Sequence, residues 1–328
     1  MTDQDFTSAL QDKEPQGEQS SQWAEVWYQF RRHRGAVWGG GFLLFITLAV
    51  VLGPFIWTID PQALPKGREI LTMRDIRPMY VALWDGDAKV NWARPLGSDN
   101  IGRDNLALLL AGGRVSLAVG WLAMLLTMLI GTSFGLFAGY FKRLDGPLMR
   151  FTDLILSLPI LPITLVAVTL FREPLIKFAN GSTEGGMFIL IVGIIGITSW
   201  MQTARIVRGE VLALKEREFV LAARSIGTTN GAIIRRHLLP NVVSPIMVSA
   251  TLGLAAAIIT ESALSFLGVG FPSDFPTWGK LLADAVSRME AFPERVMLPG
   301  IAISLTVLSV NYLGDGLRDA LDPRIRGR

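Results

Sequence analysis

The chain has 328 residues, 50% of them hydrophobic and 18% charged. That composition excludes a disordered chain and a fibrous repeat. Lys and Arg (31) nearly balance Asp and Glu (28) for a net charge of +3, yet six windows carry no charge at all: 35–59, 115–141, 154–171, 187–204, 242–260 and 296–314.

Each window is close to the ~20 residues that a helix needs to cross the hydrocarbon core. The expected fold is therefore an all-α polytopic membrane protein with six transmembrane helices. The absence of cysteine removes disulfides and thiolate metal sites. His33 and His237 are far apart and lack ligand spacing, so no metal or haem site is expected. The basic residues sit between apolar windows and are not interleaved with aromatics, so nucleic acid is not an expected partner.

In chain order, residues 1–22 are polar and rather acidic and read as a disordered tail, with no cleaved signal peptide. Residues 23–35 place Trp23, Trp27 and Phe30 at i, i+4, i+7, followed by Arg31, Arg32 and Arg34. This pattern suits an amphipathic helix at the membrane interface, or an extension of the first span. The membrane-spanning body follows over 36–328, with spans about 36–58, 115–141, 153–171, 187–205, 242–267 and 296–314. If the N-terminus is cytoplasmic, that side holds 18 of the 31 cations, and eight of the other thirteen fall in one long connection, 60–114. Long connections count little, so both termini are expected in the cytoplasm.

The long connection ends Pro95-Leu-Gly-Ser-Asp-Asn-Ile-Gly-Arg-Asp104. Asp99 and Asp104 lack EF-hand spacing, which leaves turn and capping roles. Span 2 carries Gly131, Gly135 and Gly139 on one helix face, where another helix can approach closely. Span 3 carries Pro159 and Pro162, which bend it, and Asp153 opens it, where an anion suits a helix N-terminus.

The connection 206–241 is too long and too ordered for a plain linker. Phe219, Ala222, Ala223 and Ile226 repeat at i, i+3, i+4, i+7 as one apolar face. Gly227 stops that helix, Thr228, Thr229 and Asn230 can cap a second over 232–239, and Pro240 ends it. Such a hairpin either docks a partner or packs on itself. Glu261 is the one carboxylate embedded in a long apolar run, which makes it, with Ser262 and Ser265, a candidate for a translocation pathway or for structural pairing. The connection 268–295 starts Pro276-Thr-Trp-Gly279, and Leu281, Leu282, Ala285 and Val286 fit a short surface helix.

The segment 217–241 resembles the EAA motif of ABC importer permeases. Ala222, Ala223, Gly227, Leu239 and Pro240 match in spacing; Leu221 stands where the motif has Glu, and His237 where it has Ile. The segments 95–104, 149–153, 261–270 with 276–279, and 313–323 resemble the dipeptide/oligopeptide/nickel branch, second-permease type. The resemblance implies a bacterial inner-membrane translocation subunit working by alternating access. Its implied partners are a homologous second permease subunit, two ABC ATPases and an extracytoplasmic solute-binding protein, within the lipid bilayer. It assigns ATPase coupling to Arg217, Glu218, Ala222, Ala223, Arg224, Gly227, Arg235, Leu239 and Pro240.

No phosphate loop is present, so ATP and Mg belong to the partner ATPases, and this chain is expected to be no enzyme and to hold no cofactor. Peptides lead as cargo, with nickel complexes, oligosaccharides and opine-like compounds as alternatives. A stand-alone secondary transporter or channel is the competing class; it would favour several ionisable residues in the spans and need no docking hairpin.

Overall fold

The computed structural model describes residues 22–65, 69–85, 91–272 and 274–321. The expected tail, all but residue 22, lies outside them, as do Arg324, Arg326 and Arg328 of the charge count. Helix α1 (Gln22–Arg32) and helix α2 (Arg34–Ile56) are separated at His33, whose extended backbone ends one and whose Nδ1 accepts the Ala36 N–H at 3.0 Å to cap the other. Short helices α3 (Glu69–Met73) and α4 (Met79–Asp85) lie in the long connection.

Helix α5 (Asn105–Tyr140) starts where Asp104 accepts the Ala107 N–H at 2.7 Å. Asp99 takes the N–H groups of Ile101 and Arg103, so both aspartates do the turn and capping work expected of them. At 36 residues α5 is roughly 54 Å long, well beyond the membrane core. The charge-free window 115–141 is only part of it, because a capped helix continues through Arg114.

Two expected spans are not single helices. Residues 153–171 are divided between α6 (Lys142–Leu156) and α7 (Ile160–Phe178), which meet at 87°. Pro159 lacks a donor and pushes the residue before it out of helical geometry, so the chain turns instead of bending. Asp153 consequently sits in the last turn of α6, not at a helix N-terminus, and pairs with Arg205. Residues 187–205 are divided between α8 (Thr183–Ser199) and α9 (Met201–Leu214), bent by 42° at the buried Trp200. Phe134 packs on Trp200 with ring centroids 4.3 Å apart.

Beyond α9 come α10 (Glu218–Ser225), α11 (Asn230–Ile233), a π turn (Ile234–Leu238) and α12 (Leu239–Phe266). Pro240 does not end the hairpin's second helix; the helical run continues from Asn230 to Phe266. In the π turn the Leu239 N–H reaches back five residues to the Ile234 carbonyl. That wider turn relieves the clash that proline makes with the carbonyl four residues before it. Helices α13 (Trp278–Val286) and α14 (Pro293–Leu321) complete the chain. Among the described residues four helices are long and apolar enough to cross a membrane, and the two bent pairs raise that to six.

Helix α5 is the centre, packed against α2, α8, α9 and α12. Its glycine row meets α9: a Cβ added at Gly131, Gly135 or Gly139 would lie 2.7 Å from Cβ of Thr203, Val207 or Val211 respectively. The close approach that the glycines allow is thus used by the helix leading into the hairpin. Trp57 Nε1 donates to Asp104 at 3.0 Å, so α2 ends beside the start of α5. His33 lies 3.8 Å from Asp319, which brings the start of α2 to the end of α14. The hairpin, the start of α2 and the end of α14 therefore share one end of the bundle; α13 and the long connection share the other, the cap end.

Gly135→Leu has to displace Val207 and the Ala204 carbonyl, a loss of about 1–3 kcal/mol by overpacking. Thermal unfolding in detergent is expected to fall for Gly135→Leu and to hold for Gly146→Leu, whose added Cβ would meet nothing within 4 Å.

Candidate functional site

The hairpin is built on its own small core. Val220 and Ala223 of α10 are buried with Val207 and Val211 of α9, Leu136 of α5, Ile233, Leu238 and Val242. The sequence pattern placed Phe219, Ala222, Ala223 and Ile226 on one face, and the structure divides them. Ala223 turns inward with Val220; Phe219, Ala222 and Ile226 remain exposed, Ile226 at 83%. The core is already filled from the Val220 side, so the outward apolar side chains stay exposed, Phe219 beside the His237 ring at 6.2 Å between centroids.

Helix α10 begins at Arg217, whose backbone is extended, and ends at Gly227 with φ +80°. The Gly227 N–H bonds the Arg224 carbonyl and the Thr228 N–H the Ala223 carbonyl, at 3.0 and 3.1 Å. This double closure needs the left-handed backbone that glycine adopts without strain. Nothing stands within 4 Å of a Cβ added there, so backbone geometry, not space, holds the glycine.

Three contacts tie the hairpin to the end of α5. Lys215 Nζ donates to the Gly139 carbonyl at 3.2 Å. The Tyr140 hydroxyl donates to Asn230 Oδ1 at 2.7 Å, and the Arg224 guanidinium lies 5.9 Å from the Tyr140 ring centroid. On the neighbouring side Arg208 makes a two-point ion pair with Asp145, and Arg205 pairs with Asp153. The motif reading missed Val220, Tyr140 and these arginines. A signal existed: Asp145 and Asp153 are eight apart, Arg205 and Arg208 three apart, and each pair shares a helix face.

Of the remaining candidates, Arg217, Glu218, Arg235, Leu239 and Pro240 are exposed around α10 and the π turn. Leu221, in the place of the motif's Glu, is exposed at 42% beside Ala222.

Glu261, Ser262 and Ser265 lie elsewhere, at the cap end, between α5, α12 and α13. All three are buried, Glu261 completely. Its carboxyl accepts the Ser116 and Ser265 hydroxyls, each at 2.8 Å. Ser116 in turn accepts the Trp278 N–H at 3.2 Å, and Trp278 Nε1 donates to the Leu109 carbonyl at 3.0 Å. Gly279 sits directly on the Ser262 backbone. The carboxylate is thus spent on fastening α13 to α5 and α12.

Residues 131–327 match the family described as binding-protein-dependent transport system inner membrane component, and residues 21–71 match the N-terminal TM domain of oligopeptide transport permease C. The chain is 36% identical over 307 residues to a glutathione transport system permease protein, GsiD, of Pectobacterium atrosepticum, covering 93% of this chain and 92% of that one. It is 35% identical to the dipeptide transport system permease protein DppC of Bacillus subtilis (92% and 86% covered). It is 33% identical to the oligopeptide transport system permease protein OppC of Haemophilus influenzae (98% and 96% covered). A solved structure of the MetNI methionine ABC transporter in inward-facing conformations superposes with a TM-score of 0.52 at 17% identity, over 66% of this chain and 97% of that one.

The geometry of Gly227 yields a graded expectation. A β-branched residue in the left-handed region costs roughly 1–2 kcal/mol, whereas asparagine tolerates it. Limited proteolysis of the purified protein should cut the hairpin faster in Gly227→Val than in wild type, with Gly227→Asn close to wild type. Equal rates in all three would show that the glycine closure does not hold the hairpin.

Proposed function

The chain belongs to the binding-protein-dependent transport permeases of the inner membrane, and from that premise we propose that it is the second permease of an ABC importer for short peptides. Its relatives' cargoes are dipeptides, oligopeptides and glutathione, all of which carry peptide-type amides, and this supports peptides over nickel complexes or sugars. The chain itself is a translocation subunit and performs no hydrolysis. Two ATPases supply the energy, a homologous permease completes the pathway, and a solute-binding protein delivers cargo at the cap end. Both termini and the hairpin face the cytoplasm, in line with the distribution of cations.

The observation that carries this reading is the outward face of α10. A helix anchored by Val220 and Ala223, yet presenting Phe219, Ala222 and Ile226 outward, is built to receive a second surface. Exposed apolar side chains in a cluster mark an interaction site. Ala222 allows close approach, and Arg217 and Arg235 at the edges can pair with carboxylates of an ATPase. Movement imposed on α10 passes to α9 through the shared core, and from α9 to α5 through the glycine row. The pathway between the two permeases then opens alternately to the binding protein and to the cytoplasm.

Proteoliposomes holding both permeases, both ATPases and the binding protein are expected to accumulate tri-alanine only with ATP. Ile226→Asp places a charge on the docking face without touching the core. It should cut ATP-driven uptake at least tenfold and the stimulated ATPase with it, while the membrane subunits still assemble. Uptake without ATPase subunits, or normal uptake by Ile226→Asp, would contradict the assignment.

A further inference from the structure

Both helix breaks open onto one polar pocket. It has a volume of about 260 Å³ and lies between α5, the α6–α7 turn, the α8–α9 bend and α12. Leu156 and Ile160 flank it on one side, Ser199 and Met201 on another. Irregular backbone at membrane depth is tolerated where it is covered by protein or lines a cavity. The two breaks therefore mark the same place, although they are some forty residues apart in sequence.

The walls mix uncharged polar groups with apolar side chains such as Ile206 and Leu252. Thr127, Thr198, Gln202, Ser249 and Thr260 line the pocket, and no Asp, Glu, Lys or Arg does. The hydroxyls divide by what they have left to offer. Thr198 and Thr260 give their protons to the carbonyls of Ile194 and Ala256, at 2.7 and 2.8 Å, and so retain only acceptor capacity. Ser249 is 6% exposed, and its hydroxyl makes no hydrogen bond, so it can still donate. A buried hydroxyl without a partner is unfavourable, and a ligand that bonds it removes that penalty. Gln202, exposed at the pocket, adds a carboxamide that both donates and accepts. Turned toward lipid, this set would be unfavourable; turned toward a water-filled pathway it is not.

An adjoining cavity of about 620 Å³ shares Leu156, Ile160, Thr198 and Met201 with the pocket and is otherwise walled by side chains such as Phe134, Phe151 and Trp200. The pair offers amide-matching groups beside an apolar recess.

We infer that this pocket is the chain's cargo-contact site in the translocation pathway, binding the amide backbone of a peptide whose charged ends stay in the water of the pathway, with apolar side chains entering the adjoining cavity. Acceptors at Thr198 and Thr260 and donors at Ser249 and Gln202 suit the N–H and C=O of an amide, whereas a carboxylate or ammonium group would be desolvated there without a counter-charge. The inference rests on the peptide-import reading and adds to it the place and the chemistry of contact.

The test uses the complete complex with its ATPases and binding protein in proteoliposomes. The chain has no cysteine, so single replacements can be read directly. Ser249→Cys and Gln202→Cys should each react with the water-soluble cation MTSET, whereas Leu44→Cys, 60% exposed on α2, should stay unmodified in lipid. Gly253 lines the pocket, and a Cβ added there meets Met128 Cε at an ordinary 3.4 Å, so Gly253→Leu should fold and obstruct the pocket. It is expected to lower tri-alanine uptake at least tenfold while leaving binding-protein-stimulated ATPase within about twofold of wild type. Absence of MTSET labelling at both cysteines, or wild-type uptake by Gly253→Leu, overturns the inference. If Gly253→Leu loses ATPase as well, the labelling alone decides. A wild-type complex that binds ATP but takes up no tri-alanine counts against the peptide reading, and the labelling still reports on the pocket.

Discussion

Three glycines on one face of α5 let α9 come so near that Thr203, Val207 and Val211 stand where glycine side chains would be. Much of the molecule depends on that close approach. In a bilayer the lipid is as apolar as the helices, so association comes from packing, and small residues supply the contact. Because α9 runs directly into the hairpin, the packing that stabilises the bundle also determines what the hairpin can move. Lys215 and Tyr140 extend the attachment to the end of α5. Arg205 and Arg208 brace α9 against α6.

The cap end uses the opposite chemistry. There a buried carboxylate, Glu261, gathers Ser116 and Ser265, and Ser116 in turn holds the Trp278 amide. Fixed hydrogen bonds of this kind hold α13 in one position, while the hairpin end keeps an open apolar face. The two ends thus differ: a hydrogen-bonded platform at one side and a helix with an exposed apolar face at the other. Between them lies the polar pocket, at the two places where the helices cannot continue straight.

Local features of the sequence were read well. Charge-free windows located the apolar segments, because length and polarity are enough to recognise a segment that suits a bilayer. Gly227 was legible as a helix stop since its backbone requirement is local, and Asp104 as a cap for the same reason. Pro159 was legible as a bend but not as an 87° turn, and the break at Trp200 was not legible, because hydropathy measures composition and not direction. Pro240 does not end the helix because the π turn before it, with Ile233 and Leu238 buried in the hairpin core, accommodates the ring. Glu261 was recognised as unusual, but its partner Ser116 lies 145 residues away, and only the fold brings the two together. The branch of the family was legible because several motifs occur in order along the chain. The orientation of α10 was not, since an apolar i, i+3, i+4, i+7 row does not say which side the rest of the molecule covers.

The claim beneath all of this is that α10, α9 and α5 move as one body when the ATPases act on the hairpin. A spin-label distance between Glu216→Cys, just before α10 and off its outward apolar face, and Leu129→Cys on α5, both exposed positions, measures it in the assembled transporter. Comparing the resting and ATP-bound states, the distance should change by less than about 2 Å, the scale of a packed-helix adjustment. A change of about 5 Å, one helical turn, would mean that the hairpin slides over the bundle instead of carrying it.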